Sequence, residues 1–309
     1  MKTASALLAA VRPTTFIESE PLSKLLGAKI TIASETFQHT GSFKFRAAYN
    51  VALNVENDTI ITASSGNFGQ ALAKACELLG KRCIVVMPDN SASVKIEGVK
   101  SYGATIDLID TRKIGRQARV LQIAEDFPDA YLASAYDDPL VIEGNSTLGL
   151  EIANHPNEFD ACIAPIGGGG LISGIIKGLC YNGRTTPVFG AEPLLANDAA
   201  RSLKAGKIIA NEHEPQTLAD GARTVSLGEH NWKIIEKGVK KIIEVSEEKI
   251  RQAVRDLFGH ANLKVEPTGA LTTGAILEQP ENFAGKSICL VVSGGNVDKK
   301  IYQETLFSS

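Results

Sequence analysis

Long hydrophobic runs are missing from this chain of 309 residues. The longest, Ala161–Ile176, is broken by a proline and four consecutive glycines. It falls short of the ~20 residues that cross a bilayer. An export signal is missing too. The apolar stretch Ala6–Val11 is too short, and no small-residue cleavage site follows it. There is no excess of basic charge: 32 Lys and Arg stand against 35 Asp and Glu, for a net charge of -3. That balance gives no pull toward nucleic acid or an anionic membrane. Cysteine is scarce, with Cys76, Cys83, Cys162, Cys180 and Cys289 odd in number and without CxxC spacing. Free, buried thiols in a reducing cytoplasm are the expectation, not a disulfide framework. Low-complexity segments and fixed-period repeats are also lacking, which excludes disordered and solenoid chains.

What the chain does have is alternation. Short β-branched runs recur at 58–63, 83–87, 104–109, 161–166, 187–191 and 287–292. Helical patterns lie between them at 69–80, 91–102, 115–127 and 171–182. Strand and helix in turn predict an α/β fold with mainly parallel sheets. The length suits two lobes. Three strand–helix units in 58–138 form a candidate small lobe, leaving 1–57 and 139–309 for a large one.

Four segments carry chemistry. Thr40–Arg46, TGSFKFR, puts Lys44 in a first helical turn behind a candidate N-cap, Ser42. The positive helix end and nearby Arg46 favour a neutral amine, which Schiff-base chemistry needs. Ser64–Ala71, SSGNFGQA, joins a strand to a helix and offers free N–H groups to a carboxylate. Pro165–Leu171, PIGGGGL, has the same strand–turn–helix context and can curl its backbone around a phosphate. It fits neither GxGxxG nor a Walker loop. Val292–Asn296, VSGGN, ends a strand and presents the hydroxyl of Ser293. Taken singly, each also fits a solvated lysine or an ordinary turn. Together they are the parts that hold pyridoxal 5'-phosphate and an amino acid.

These stretches, with TLADG at 217–221 and VEPTGA at 265–270, occur in an order that resembles the fold type II (β-family) pyridoxal-phosphate enzymes. The resemblance is to the serine/threonine dehydratase and serine racemase group, and it covers about Pro21 to Asn296. It implies two lobes, each with a mainly parallel twisted sheet flanked by helices, and a homodimer. Lys44 would hold the cofactor covalently and Phe43 would pack on its ring. Asn67 would bond its phenolic oxygen. Gly167, Gly168, Gly169, Gly170 and Leu171 would cradle the phosphate, Ser293 would face the pyridine nitrogen, and Gly221 would lie against the site. Ser64, Ser65, Gly66 and Asn67 would surround the substrate carboxylate, beside Phe68. Glu192, the Ala196 carbonyl and Asp198 match a divalent-cation site, whose hard oxygen ligands suit Mg²⁺, Ca²⁺ or Mn²⁺.

The implied reaction is elimination of water from a β-hydroxy amino acid such as serine, threonine or 3-hydroxyaspartate, giving a 2-oxo acid and ammonia. The freed Lys44 amine would take the Cα proton. Racemisation is the alternative, with Ser65 as acid/base on the opposite face. A β-replacing synthase is disfavoured by SFKFR, and a non-catalytic cofactor binder by the complete cofactor set. The chain departs from the group at Ala47, Phe68, Ser134–Ala135 and Asn145–Ser146. Phe68 and 134–136 are expected beside the substrate. Arg112, Lys113 and Arg116 are candidate holders of a second substrate carboxylate, against a reading of all three as a solvated face. The end of the chain 13 residues after Asn296 argues against a feedback-regulated threonine dehydratase.

Overall fold

The computed structural model describes residues 2–64, 66–91 and 93–307. The chain opens with α1 (Lys2–Ala10), β1 (Thr15–Glu18), α2 (Glu20–Leu26), β2 (Lys29–Ser34) and α3 (Lys44–Asn54). It then alternates β3 (Thr59–Ala63), α4 (Asn67–Leu79), β4 (Arg82–Pro88), α5 (Ser93–Lys100), β5 (Thr105–Ile109), α6 (Arg116–Asp126) and β6 (Tyr131–Ala133). Next come α7 (Pro139–Ala153), β7 (Ala161–Pro165), α8 (Gly170–Tyr181), β8 (Val188–Pro193) and α9 (Asp198–Ala205). The chain closes with α10 (Glu229–Gly238), β9 (Val239–Val245), α11 (Glu247–Ala261), α12 (Pro267–Glu278), β10 (Ser287–Val292) and α13 (Lys299–Phe307).

Two sheets result. One has the order β1-β2-β10-β7-β8-β9, parallel except for β1, which runs antiparallel to β2. The other, β5-β4-β3-β6, is parallel throughout and uses only residues 59–133. Central strands such as β7 (ACIAP) and β10 (SICLVV) are apolar at nearly every position because helices cover both faces of the sheet. Ile30, Ile32, Leu257 and Leu271 pack in the cluster on one face of the larger sheet, and Leu148, Cys162, Ile172 and Val291 on the other. The core of the smaller sheet also takes Leu7, Phe45, Ala48, Val51 and Val141, from segments outside 58–138.

Local signals set the helix ends. Asp138 accepts from the Leu140 N–H and Pro139 opens α7, so this helix starts where capping dictates. Gly80 ends α4 at φ 66°, a left-handed value that glycine adopts without strain. Side-by-side packing of α7 and α8 depends on absent side chains: a Cβ at Gly149 would meet the Gly178 Cα at 3.0 Å. No helix among the described residues is long and apolar enough to cross a membrane. Four cysteines are buried as expected. Cys180 is the correction, since it lies on the outer side of the last turn of α8 and is exposed.

Parallel strands deliver their carboxyl ends to one side of a sheet, where α/β folds collect ligands. Here β3 leads into Ser64, β7 into the glycine run and β10 into Ser293. The three loops therefore converge on the start of α3.

Candidate active site

Lys44 is the first residue of α3, and its placement begins with the backbone. Ser42 bridges to Gly294, and the Phe43 N–H donates to the Ser293 carbonyl at 3.0 Å. The lysine segment is thus stitched to the end of β10. Phe43, not Ser42, is the residue at the cap, and it adds no side-chain cap bond. Thr40 just upstream has φ 61°, unusual for a β-branched residue, and its carbonyl accepts from Asn296 Nδ2 at 2.6 Å. The Lys44 side chain is partly buried. Its Nζ donates to the Ala135 carbonyl at 2.6 Å and lies 5.1 Å from the Phe43 ring and 5.6 Å from the Phe68 ring.

Desolvation lowers the Lys44 amine to about 8, and the charge of Glu266 opposes that shift. Arg46 is not the cause, contrary to the sequence expectation. It is fully buried and bound at 2.7 Å to both Glu35 and Glu151, and it also donates to Thr14, Thr147 and the Arg12 carbonyl. Its charge is spent inside that network.

The glycine run is shaped by what holds its carbonyls. Gly168 O accepts from the Gly228 N–H and from Asn231 Nδ2, Gly169 O from the Ser173 N–H, and Gly170 O from Asn145 Nδ2 at 3.0 Å. With the carbonyls held, the amide face and the free N-terminus of α8 are left for an anion. Asn145, one of the departures from the group, thereby supports this loop. A Cβ at Gly167 would meet the Gly221 carbonyl at 2.9 Å, which places Gly221 beside the loop. A Cβ at Gly168 would collide with the Tyr136 ring, which covers the run. Ala135 and Tyr136 therefore touch Lys44 and the glycine loop.

At the start of α4, the helix begins two residues before the sequence pattern indicated, with Gly66 at the cap and Asn67 first in the helix. Phe68 is buried. A Cβ at Gly69 would meet the Ser64 carbonyl at 2.5 Å, which fixes the strand–helix loop against its own helix. Ser65 lies outside the described residues.

Ser293 is buried, and its Oγ has no hydrogen-bond partner. A buried hydroxyl left unpaired is costly, and a ring nitrogen of the cofactor is a group that would pair it. The residues present therefore fit pyridoxal phosphate: an amine that holds its proton weakly, an amide-lined cup and a waiting neutral hydroxyl.

The sequence reading missed Glu266 as a site residue, although its motif was in view. It is buried at the start of α12 and accepts from Asn67 Nδ2 through both oxygens, at 3.0 and 3.1 Å. Burial raises its carboxyl to about 8, with the charge of Asp220 adding to the shift. Only the fold could show this, since Glu266 and Asn67 are far apart in sequence.

Two ion pairs cross between the sheets at the rim. Lys95 Nζ reaches Asp220 at 2.8 Å, and Arg116 Nη2 reaches Glu214 at 3.0 Å. Arg112 pairs locally with Asp110 and is 85 % exposed, and Lys113 is 83 % exposed. Arg116 alone of the three candidate cations points across the cleft.

Glu192 and Asp198 are both buried, at the end of β8 and the start of α9, with Ala196 buried between them. Glu192 accepts from the N–H groups of Ala199 and Ala200, at 3.1 and 2.6 Å. Asp198 accepts from Asn211 through Oδ1 at 3.0 Å, while its Oδ2 has no partner. Burial pushes Glu192 well above the usual carboxylate range and Asp198 up to about 7. Among the described residues no three His, Cys, Asp or Glu side chains gather around a common point. The expected site needs two carboxylates and a carbonyl, and the unpartnered Asp198 oxygen fits it.

A family model described as "Pyridoxal-phosphate dependent enzyme" matches residues 7–294. The chain is 36% identical over 292 residues to a beta-hydroxyaspartate dehydratase of Paracoccus denitrificans, covering 93% of this chain and 92% of that protein. It is 34% identical over 295 residues to the serine racemase of Mus musculus, covering 92% and 86% respectively. Its structure superposes on a threonine deaminase of T.th. with a TM-score of 0.90 and 37% identity, over 96% of this chain and 98% of the other. The chain belongs to the fold type II pyridoxal-phosphate-dependent enzymes, in the group of serine/threonine dehydratases and serine racemases.

Proposed function

We propose that the chain is an ammonia-lyase that eliminates water from a β-hydroxy amino acid, with 3-hydroxyaspartate its preferred substrate class. One observation carries this reading. The Lys44 amine is held near 8 between Phe43 and Phe68, beside a glycine cup and an unpartnered Ser293 hydroxyl. Pyridoxal phosphate, when bound, supplies the electron sink that stabilises charge at Cα. Gly167, Gly168, Gly169, Gly170 and Leu171 hold its phosphate, Gly221 backs that loop, Asn67 meets its ring oxygen, and Ser293 meets its ring nitrogen. Ser64, Ser65, Gly66 and Asn67 bind the substrate carboxylate at the positive end of α4. An amine near 8 is partly neutral at physiological pH, so Lys44 can accept the Cα proton.

Substrate choice follows from the rim. A side-chain carboxylate entering the cleft competes with Glu214 for Arg116. The beta-hydroxyaspartate dehydratase relative supports that choice. The lobe formed by 58–138 carries Arg116 and closes over substrate on the lobe formed by 1–57 and 139–309. A panel of serine, threonine, 3-hydroxyaspartate and phenylserine, assayed for 2-oxo acid, tests the reading. Highest kcat/KM for 3-hydroxyaspartate is expected; no 2-oxo acid from any of them would overturn it.

Racemisation is the second reading, favoured by the serine racemase relative. It requires Ser65 as the opposite-face acid/base. Ser65→Ala would then stop enantiomer formation while elimination from the L-substrate persists. Glu192, the Ala196 carbonyl and Asp198 hold a divalent cation of the Mg²⁺, Ca²⁺ or Mn²⁺ type, which orders the loop between β8 and α9 and takes no part in the chemistry. A homodimer in the cytoplasm completes the proposal, and sedimentation of the loaded enzyme tests its stoichiometry.

A further inference from the structure

Glu266 is a buried carboxylate at the centre of the site, and the elimination as described gives it no part. Its surroundings are tightly specified. Its N–H donates to the Gly294 carbonyl at 3.1 Å, and a Cβ on Gly294 would stand 2.8 Å from Glu266 Oε1. Ser42 Cβ stands equally close at 2.8 Å, so the first glycine of VSGGN is hemmed in by this carboxylate and the lysine segment together. Both oxygens face Asn67 Nδ2 at nearly equal distance, which is one N–H shared between two acceptors.

The other half of the Asn67 amide is fixed as well. Asn67 Oδ1 accepts from Asn296 Nδ2 at 2.8 Å, and that nitrogen also donates to Thr40 O. An amide has nearly the same shape with its oxygen and nitrogen exchanged, so its orientation is set by partners alone. Flipping Asn67 would put its NH₂ against the NH₂ of Asn296 and its carbonyl against a carboxylate. The first contact is repulsive in any state, and the second is repulsive when Glu266 is ionised. With one N–H on Glu266, the second N–H of Asn67 remains for the cofactor.

We propose that Glu266 is a positioning residue: it shares in setting the donor orientation of Asn67 toward the cofactor's ring oxygen and, in its ionised form, is the internal counter-charge of the Lys44 amine. This rests on Lys44 being the cofactor-bearing lysine. The charged groups facing Glu266 are Lys44 on α3, Lys95 on α5 and Asp220 after α9. Two cations and one anion leave it a net positive surround. Removing its charge leaves Lys44 with desolvation unopposed, so the amine should hold its proton less tightly.

The test uses the full chain freed of cofactor, with Lys44 acylated by limiting acetic anhydride at a series of pH values and quantified by peptide mass. In Glu266→Gln the midpoint of Lys44 reactivity should fall by about one pH unit or more from that of the parent. A purely structural role for Glu266 would not move it. The coupling is reciprocal, which gives a second variant should the first fail to fold. In Lys44→Met the infrared C=O band of the protonated Glu266 carboxyl, identified by its displacement in Glu266→Asp, should persist to higher pH than in the parent. An unmoved Lys44 midpoint, or an unmoved carboxyl band, overturns the proposal. Borohydride reduction of the loaded parent separates the two readings. A label away from Lys44 defeats the proposed function, whereas a label on Lys44 with unmoved midpoints defeats this inference alone.

Discussion

At the scale of single residues, two basic side chains two positions apart behave oppositely, because the fold gives them different neighbours. Arg46 is enclosed by Glu35 and Glu151. Lys44 has no carboxylate in contact and rests on a carbonyl and two rings. Lys44→Ala should therefore cut turnover by roughly a thousandfold or more, as loss of a general base does. The melting temperature should change by only a few degrees, checked by calorimetry. Arg46→Ala should do the reverse of that stability result. It strands two carboxylates in the interior and should cost about 3–5 kcal/mol, read from the urea midpoint. The sequence displayed both residues but not this division of labour. Proximity in sequence made Arg46 a candidate perturber of Lys44, and only the positions of Glu35 and Glu151 showed its charge to be neutralised.

At the scale of elements, the loop from β8 to α9 brings two carboxylates together out of water. Burial raises Asp198 to about 7, from the ordinary range near ~4. Between those values the native state keeps a proton that the unfolded chain has lost, so stability falls as pH rises from about 4 to about 7. A bound divalent cation removes that penalty. In EDTA the urea midpoint should decline across this window, Mg²⁺ should restore it, and Asp198→Asn should lessen the slope, leaving the part owed to Glu192. A midpoint indifferent to EDTA and to the substitution at every pH would mean that no cation is held there.

Elements also show where sequence patterning reaches. The central strands β3, β4, β7, β8 and β10 are visible as β-branched runs because burial on both faces demands it, and the edge strand β5 is visible through its own β-branched run. Strands β1, β2, β6 and β9 escape notice. β2 is a central strand, and its place in the sheet does not explain this; β1, β6 and β9 are edge strands, two of them three or four residues long and the third carrying Lys240 and Lys241 outward. Short or charged edges are how sheets avoid pairing with other chains, so the signal is weak by design. The loops of the site were legible for a complementary reason. Glycines and small polar residues at strand ends are punctuation that survives without tertiary context. Glu266 was not legible as a site residue, since its role is defined by contact with Asn67 across the cleft.

At the scale of the whole molecule, the two sheets meet along a cleft whose rim is fastened by Lys95–Asp220 and Arg116–Glu214. Exposed pairs of this kind contribute little stability, about 1 kcal/mol or less each. Their consequence is selectivity. Arg116→Ala should lower kcat/KM for 3-hydroxyaspartate by about tenfold or more, while leaving threonine within about threefold, as loss of one charge-assisted hydrogen bond predicts. Equal losses for both substrates would assign specificity to Phe68 and 134–136. All of this depends on Lys44 being the residue to which the cofactor is joined. The direct test is borohydride reduction of the pyridoxal-phosphate-loaded enzyme followed by peptide mapping. The account predicts a stable pyridoxyl group on Lys44 and on no other lysine; a group fixed elsewhere, with Lys44 unmodified, would contradict it.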